Sequence, residues 1–119
     1  MSRTLFATKF AGQTIGWAEE ELELSREEIG QVVGANRKTI QRWVEGESTP
    51  SPEHRRFLER LNQLRFLLEH SFRSQTAMHR WLQSPAPGLK GRTPLFALTD
   101  GDIDSVLKLL GTLAAGGHR

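Results

Sequence analysis

The chain contains no cysteine. Disulfide staples and thiolate metal sites are therefore excluded, and an intracellular compartment fits that composition. Tyrosine is also missing, and no stretch alternates apolar and polar residues in the manner of a half-buried strand. No apolar run approaches the roughly 20 residues of a membrane span. The stretch Leu5–Ala11 is apolar but short and interrupted by Lys9, which makes it a poor leader peptide. These absences predict an all-α fold, no membrane partner and a cytoplasmic location.

A large charge of one sign is lacking too. Among 119 residues, 16 Lys and Arg face 14 Asp and Glu, for a net charge of +2. The field of the whole molecule is therefore modest, and attraction for a polyanion must come from a local patch. The charges are uneven. Glu19, Glu20, Glu21 and Glu23 crowd together, as do Arg37, Lys38 and Arg42. Between residues 53 and 80, arginines (Arg55, Arg56, Arg60, Arg65, Arg73, Arg80) outnumber glutamates (Glu53, Glu59, Glu69).

What remains is helical periodicity. Residues 1–12 end in Ala11-Gly12 without a clear period and read as an N-terminal arm. Thr14 can cap a first helix with Ile15, Ala18 and Leu22 on one face. Its late glutamates oppose the helix dipole, so this helix should be weak alone. Ser25-Arg26-Glu27-Glu28 is a capping box opening a second helix that ends at Gly34. A third begins near Asn36 and ends near Glu45-Gly46. Ser51-Pro52 is a cap followed by a proline start. It opens a long helix over about 52–71 whose stripe is Leu58, Leu61, Leu64, Leu68 and Phe72, widened by Phe57, Phe66 and Leu67. Further helices are predicted over about 74–83, over 94–98 and, after a capping signature at Thr99–Asp102, through Ile103, Val106, Leu107, Leu110, Leu113 and Ala114. Leu89–Thr93 reads as a loop and Gly116–Arg119 as a tail.

The segment Ser25–Glu45 meets the requirements of a helix-turn-helix without a gap in register. Ile29 and Val33 lie one turn apart, and Gly30 permits close crossing. Gly34 suits a left-handed turn. Ala35 tucks inward, and Ile40 and Trp43 anchor the second helix. Asn36, Arg37, Lys38, Gln41, Arg42 and Glu45 then face outward. In this motif the second helix enters the DNA major groove. Arg and Lys pair with guanine, and Gln or Asn with adenine. Arg37, Lys38 and Gln41 are placed nearest the bases, and Arg42 at base or phosphate. Asn36 is a further candidate, and Ser25 is a candidate phosphate contact. The partner is operator double-stranded DNA, and such units usually dimerise to read two half-sites. The division expected is a helix-turn-helix domain with its long helix over 13–72 and a small helical lobe over 73–119.

Trp81-Leu82-Gln83-Ser84-Pro85, then Leu89-Lys90-Gly91-Arg92-Thr93-Pro94-Leu95, then the last apolar helix, resemble the C-terminal region of Xre/MbcA/ParS antitoxins of RES–Xre toxin–antitoxin pairs. Arg42-Trp43, Gly46 and Pro50 are similar to the Xre-like lobe of that family. The chain departs from the family pattern at Ala86, where Asn is frequent, and at Lys90, where Gly is frequent. The resemblance implies a RES-domain toxin partner that consumes NAD, and repression of the antitoxin's own operon. It implies that Leu89, Gly91, Arg92 and Pro94 shape the docking loop. Leu107, Leu110, Gly116, Gly117, His118 and Arg119 would lie at the end that covers the toxin's active-site cleft. Leu107 and Leu110 read more readily as core, and the tail reads equally as a frayed terminus.

No catalytic constellation accompanies these motifs, so no enzyme activity and no cofactor are expected. His54, His70, His79 and His118 have no zinc spacing. Asp100, Asp102 and Asp104 begin like a calcium loop, but Ser105 and Gly111 stand where Gly and Glu are required. A stand-alone dimeric Xre-type regulator without a toxin is the alternative reading.

Overall fold

The helix boundaries follow from their caps. Ser25 Oγ accepts the Glu28 N–H at 3.1 Å while the Ser25 N–H donates to Glu28 Oε1 at 2.9 Å, closing the capping box. Asn36 Oδ1 accepts the Thr39 N–H at 2.8 Å, and Ser74 Oγ that of Ala77 at 3.1 Å. Ser51 and Thr93 cap helices whose first residue is proline, where a missing N–H costs nothing. Asp102 Oδ1 accepts the Ser105 N–H at 3.3 Å at the start of the last helix. The computed structural model describes residues 3–116. Its elements are α1 (Arg3–Glu21), α2 (Arg26–Val33), α3 (Arg37–Val44), α4 (Pro52–Ser71), α5 (Gln75–Leu82), one 3₁₀ turn (Pro87–Leu89), α6 (Pro94–Thr99) and α7 (Ile103–Gly116). The fold is all-α. No described helix is long and apolar enough to cross a membrane.

The N-terminal arm is corrected. Among residues 1–12, the described ones belong to α1, which runs unbroken from Arg3. Thr14 is not a cap but a buried residue in mid-helix, 1% exposed. Ala11, Ile15 and Ala18 form one buried stripe on that helix, continued by buried Leu22 just past its end. Gly12 and Gly16 each weaken a helix by about 1 kcal/mol, and packing of the stripe against α3 and α4 outweighs that cost. The acidic end of α1 is also compensated. Arg26 pairs with Glu19 at 2.9 Å, Gln75 donates to the Glu21 carboxylate at 2.9 Å, and His79 Nε2 sits 2.8 Å from the Glu21 carbonyl.

Helix α4 is the spine. Leu58, Leu61, Leu64 and Leu68 are fully buried, and α4 packs against α1 and α2 as well as against α7. Phe66 does not widen this stripe: it is 57% exposed, with the His70 ring 4.0 Å away. Helix α6 packs on α2. The buried side chains of segments 13–72 and 73–119 thus form one continuous cluster.

Candidate functional site

Ile29 and Val33 of α2 are fully buried, and so is Ile40 of α3, with Trp43 beside it at 2% exposure. Between them the Gly30 carbonyl accepts the N–H groups of both Gly34 and Ala35, at 2.8 and 2.9 Å. Gly34 holds φ at 77°, a conformation that costs a residue with a side chain. A Cβ on Gly30 would collide with the Ala35 carbonyl oxygen, and backbone cannot swing aside. The two helices therefore cross closely in one arrangement. His54 braces it from α4. Its ring lies 5.2 Å from that of Trp43, and Nε2 lies 3.2 Å from the Gly34 carbonyl.

This packing fixes which side of α3 faces out. At 100° per residue, Lys38, Gln41, Arg42 and Glu45 form a ridge opposite Ile40 and Trp43, with Arg37 flanking it at the first turn. Asn36, Arg37, Lys38, Gln41 and Arg42 are all exposed. Among the described residues, Arg37, Lys38 and Arg42 take part in no ion pair. Ser25 is exposed as well; its oxygen serves the capping box, and a hydroxyl O–H can still donate. The Asn36 carbonyl oxygen is turned onto the start of α3 as the cap, accepting the Thr39 N–H.

The C-terminal residues divide differently. Leu89 is 1% exposed, Leu110 is fully buried and Pro94 is buried, so these three pack beneath the surface of the C-terminal half. Leu107 is half-buried, and Gly91 is exposed. Leu89–Thr93 is not wholly loop, since Leu89 ends the 3₁₀ turn. Arg92 is an internal staple. Nε donates to the Leu89 carbonyl at 2.9 Å, and the two terminal nitrogens reach Asp100 at 3.4 Å and Asp102 at 2.7 Å. The Arg92 guanidinium, with help from the Ser105 hydroxyl and then its N–H, holds the Asp102 carboxyl below its ordinary value of 3.8. Gly116 is the last residue of α7 and does not begin a tail. Gly117, His118 and Arg119 lie outside the described residues.

Sequence reasoning missed two exposed apolar side chains in this half, Phe96 at 56% and Leu113 at 40% exposure. Six residues of α6 are too few for a period to separate Phe96 from buried Leu98. Two of the histidines have a structural role: His54 and His79 are half-buried and bond backbone carbonyls. No group of three or more His, Asp or Glu among the described residues could hold a metal ion.

An all-α chain with two closely crossing helices and a stapled C-terminal segment has known counterparts. Residues 67–116 match the family model described as the antitoxin Xre/MbcA/ParS C-terminal toxin-binding domain. The mycobacterial cidal antitoxins MbcA of Mycobacterium bovis and Mycobacterium tuberculosis are 32% identical over 107 residues, covering 87% of this chain and 90% of theirs. A chain of the M. tuberculosis MbcT–MbcA toxin–antitoxin complex superposes with a TM-score of 0.61 at 28% identity, covering 88% of this chain and 94% of that one. The class is thus that of all-α antitoxins. The chain belongs to the Xre/MbcA/ParS antitoxin family.

Proposed function

We propose that this antitoxin neutralises a RES-domain, NAD-degrading toxin through its C-terminal half and represses its own operon by laying α3 in the DNA major groove. The observation that carries the DNA half is the ridge of α3, where Arg37, Lys38 and Arg42 are exposed and outside any ion pair among the described residues. A surface ridge of cations opposite a buried anchor suits a phosphate-lined groove. As a homodimer the protein reads two half-sites about 34 Å apart. Ser25 and Arg42 hold phosphates, while Arg37, Lys38 and Gln41 reach base edges.

The toxin half rests on family membership and on the exposed apolar groups of the C-terminal half. Phe96, Leu113 and the turn at Gly91 form the docking surface, with Leu89, Pro94 and Leu110 supporting it and Leu107 at its edge. Gly116, Gly117, His118 and Arg119 cover the toxin's cleft. Co-expression with the product of the adjacent gene tests the pairing: the two proteins co-purify, and toxin-driven loss of NAD stops. Deleting residues 116–119 releases toxin activity; full neutralisation by the truncated chain rejects the covering role. If no neighbouring product binds but the chain still binds DNA upstream of its own gene, it is a stand-alone regulator.

A further inference from the structure

The ridge of α3 contains one residue that electrostatics alone would exclude. Glu45 is exposed and on the same side as Lys38, Gln41 and Arg42, where a carboxylate faces the phosphates of any bound duplex. It makes no ion pair among the described residues. Its one recorded side-chain bond is to Gln41, whose Nε2 donates to Glu45 Oε2 at 3.2 Å across one helical turn.

That bond has a directional consequence. An ionised carboxylate only accepts, whereas a carboxamide has a donating end and an accepting end. Glu45 therefore holds the NH₂ end of Gln41 and forbids the flipped amide. One N–H and the carbonyl oxygen of Gln41 remain, and among the described residues no donor reaches that oxygen. Adenine presents an acceptor at N7 and a donor at N6 in the major groove, a pair met by one amide N–H and one amide oxygen. Guanine presents two acceptors, which an amide with a fixed oxygen meets poorly. The other carboxamide of the helix, Asn36, has its oxygen committed to the cap. Fixing Gln41 before contact also reduces the rotamer freedom lost on binding.

We infer that Glu45 is a positioning residue for sequence reading: it orients Gln41 so that α3 selects an adenine, at the expense of general affinity for DNA. Such an exchange of affinity for discrimination is a known route to specificity. The inference rests on the DNA-reading role of α3.

The test selects bound sequences from a library of duplexes with a randomised centre, using the full chain and its Q41A, E45A, E45Q and Q41A/E45A variants. The parent chain prefers adenine at one position by about tenfold or more. Q41A abolishes that preference. E45A and E45Q bind the whole library more tightly, because a like charge is gone, yet the adenine preference falls several-fold at the same position. The double variant loses no more preference than Q41A alone. Thermal unfolding is unchanged throughout, since both side chains are exposed.

Two results overturn the inference while leaving DNA reading intact. If E45A keeps the adenine preference and gains only uniform affinity, Glu45 merely repels. If E45A loses a cytosine preference at another position, Glu45 reads a base directly. If the parent chain binds no duplex even at low salt, the DNA-reading role itself fails and this inference with it.

Discussion

Helix α3 and the loop before α6 both carry arginines and use them in opposite ways. On α3, Arg37 and Arg42 are exposed and, among the described residues, outside any ion pair. In the loop, Arg92 is committed inward, to one carbonyl and two carboxylates. A helix anchored by Ile40 and Trp43 must send the residues opposite those anchors into solvent. A loop leaves backbone carbonyls unsatisfied, and a nearby guanidinium answers that demand. An arginine opposite an apolar stripe is therefore free for a partner, while an arginine in a loop is as readily part of the frame.

Five substitutions sharpen or break this contrast. The largest effect on stability belongs to Leu110→Ala, which empties a fully buried site and costs about 2–5 kcal/mol. Its counterpart Phe96→Ala changes stability by less than about 0.5 kcal/mol but weakens toxin binding by more than about 1 kcal/mol. Chemical unfolding and a binding titration separate the two. A Phe96 variant with undiminished toxin affinity would remove Phe96 from the docking surface.

Gly30→Ala comes next. The added methyl meets the Ala35 backbone, and overpacking of this kind costs about 1–3 kcal/mol. Loss of DNA binding accompanies that destabilisation, because the crossing of α2 and α3 opens. Arg37→Ala does the reverse: specific DNA affinity falls by about 1–3 kcal/mol while the melting temperature stays put. An Arg37 variant that binds the operator like the parent shows that α3 is oriented differently in the groove.

The smallest effect is that of Arg92→Ala, about 1 kcal/mol for a partly exposed, charge-assisted set of bonds. Its pH dependence is the sharper readout. Asp102 is held below 3.8 in the folded chain, so the ionised carboxylate stabilises the fold at all pH values above the unfolded value. That contribution is lost as pH falls through the lowered folded value. The stability gap between parent and variant should hold steady at neutral pH and shrink below about pH 4. A gap that stays constant into acid would show that the staple acts through packing alone.

The pairing of α2 and α3 across a tight turn was legible in the sequence because each of its requirements is local. Ser25 with Glu28, Gly34, and the spacing of Ile29, Val33, Ile40 and Trp43 all speak within one turn of helix. The long helix was equally plain from its leucines. The beginning of α1 was not. Ala11-Gly12 resembles an ending when read locally, and only the surfaces of α3 and α4 reveal that Ala11 continues a buried stripe. Phe66 misled in the opposite direction, since an aromatic near a leucine stripe reads as core until its angle around the helix is compared with the surfaces available to cover it.

Composition and spacing by themselves determined an all-α chain, its capped helices and the outward ridge of α3. These depend on the preferences of a single helix and its caps, and such preferences lie within a few residues of one another. Tertiary structure alone decided that Leu89 and Pro94 are interior, that Arg92 staples the chain to itself, and that Phe96 and Leu113 remain outside. Burial depends on how many neighbouring surfaces meet at a point, and in the C-terminal half those surfaces come from α2 and α4, distant in the sequence.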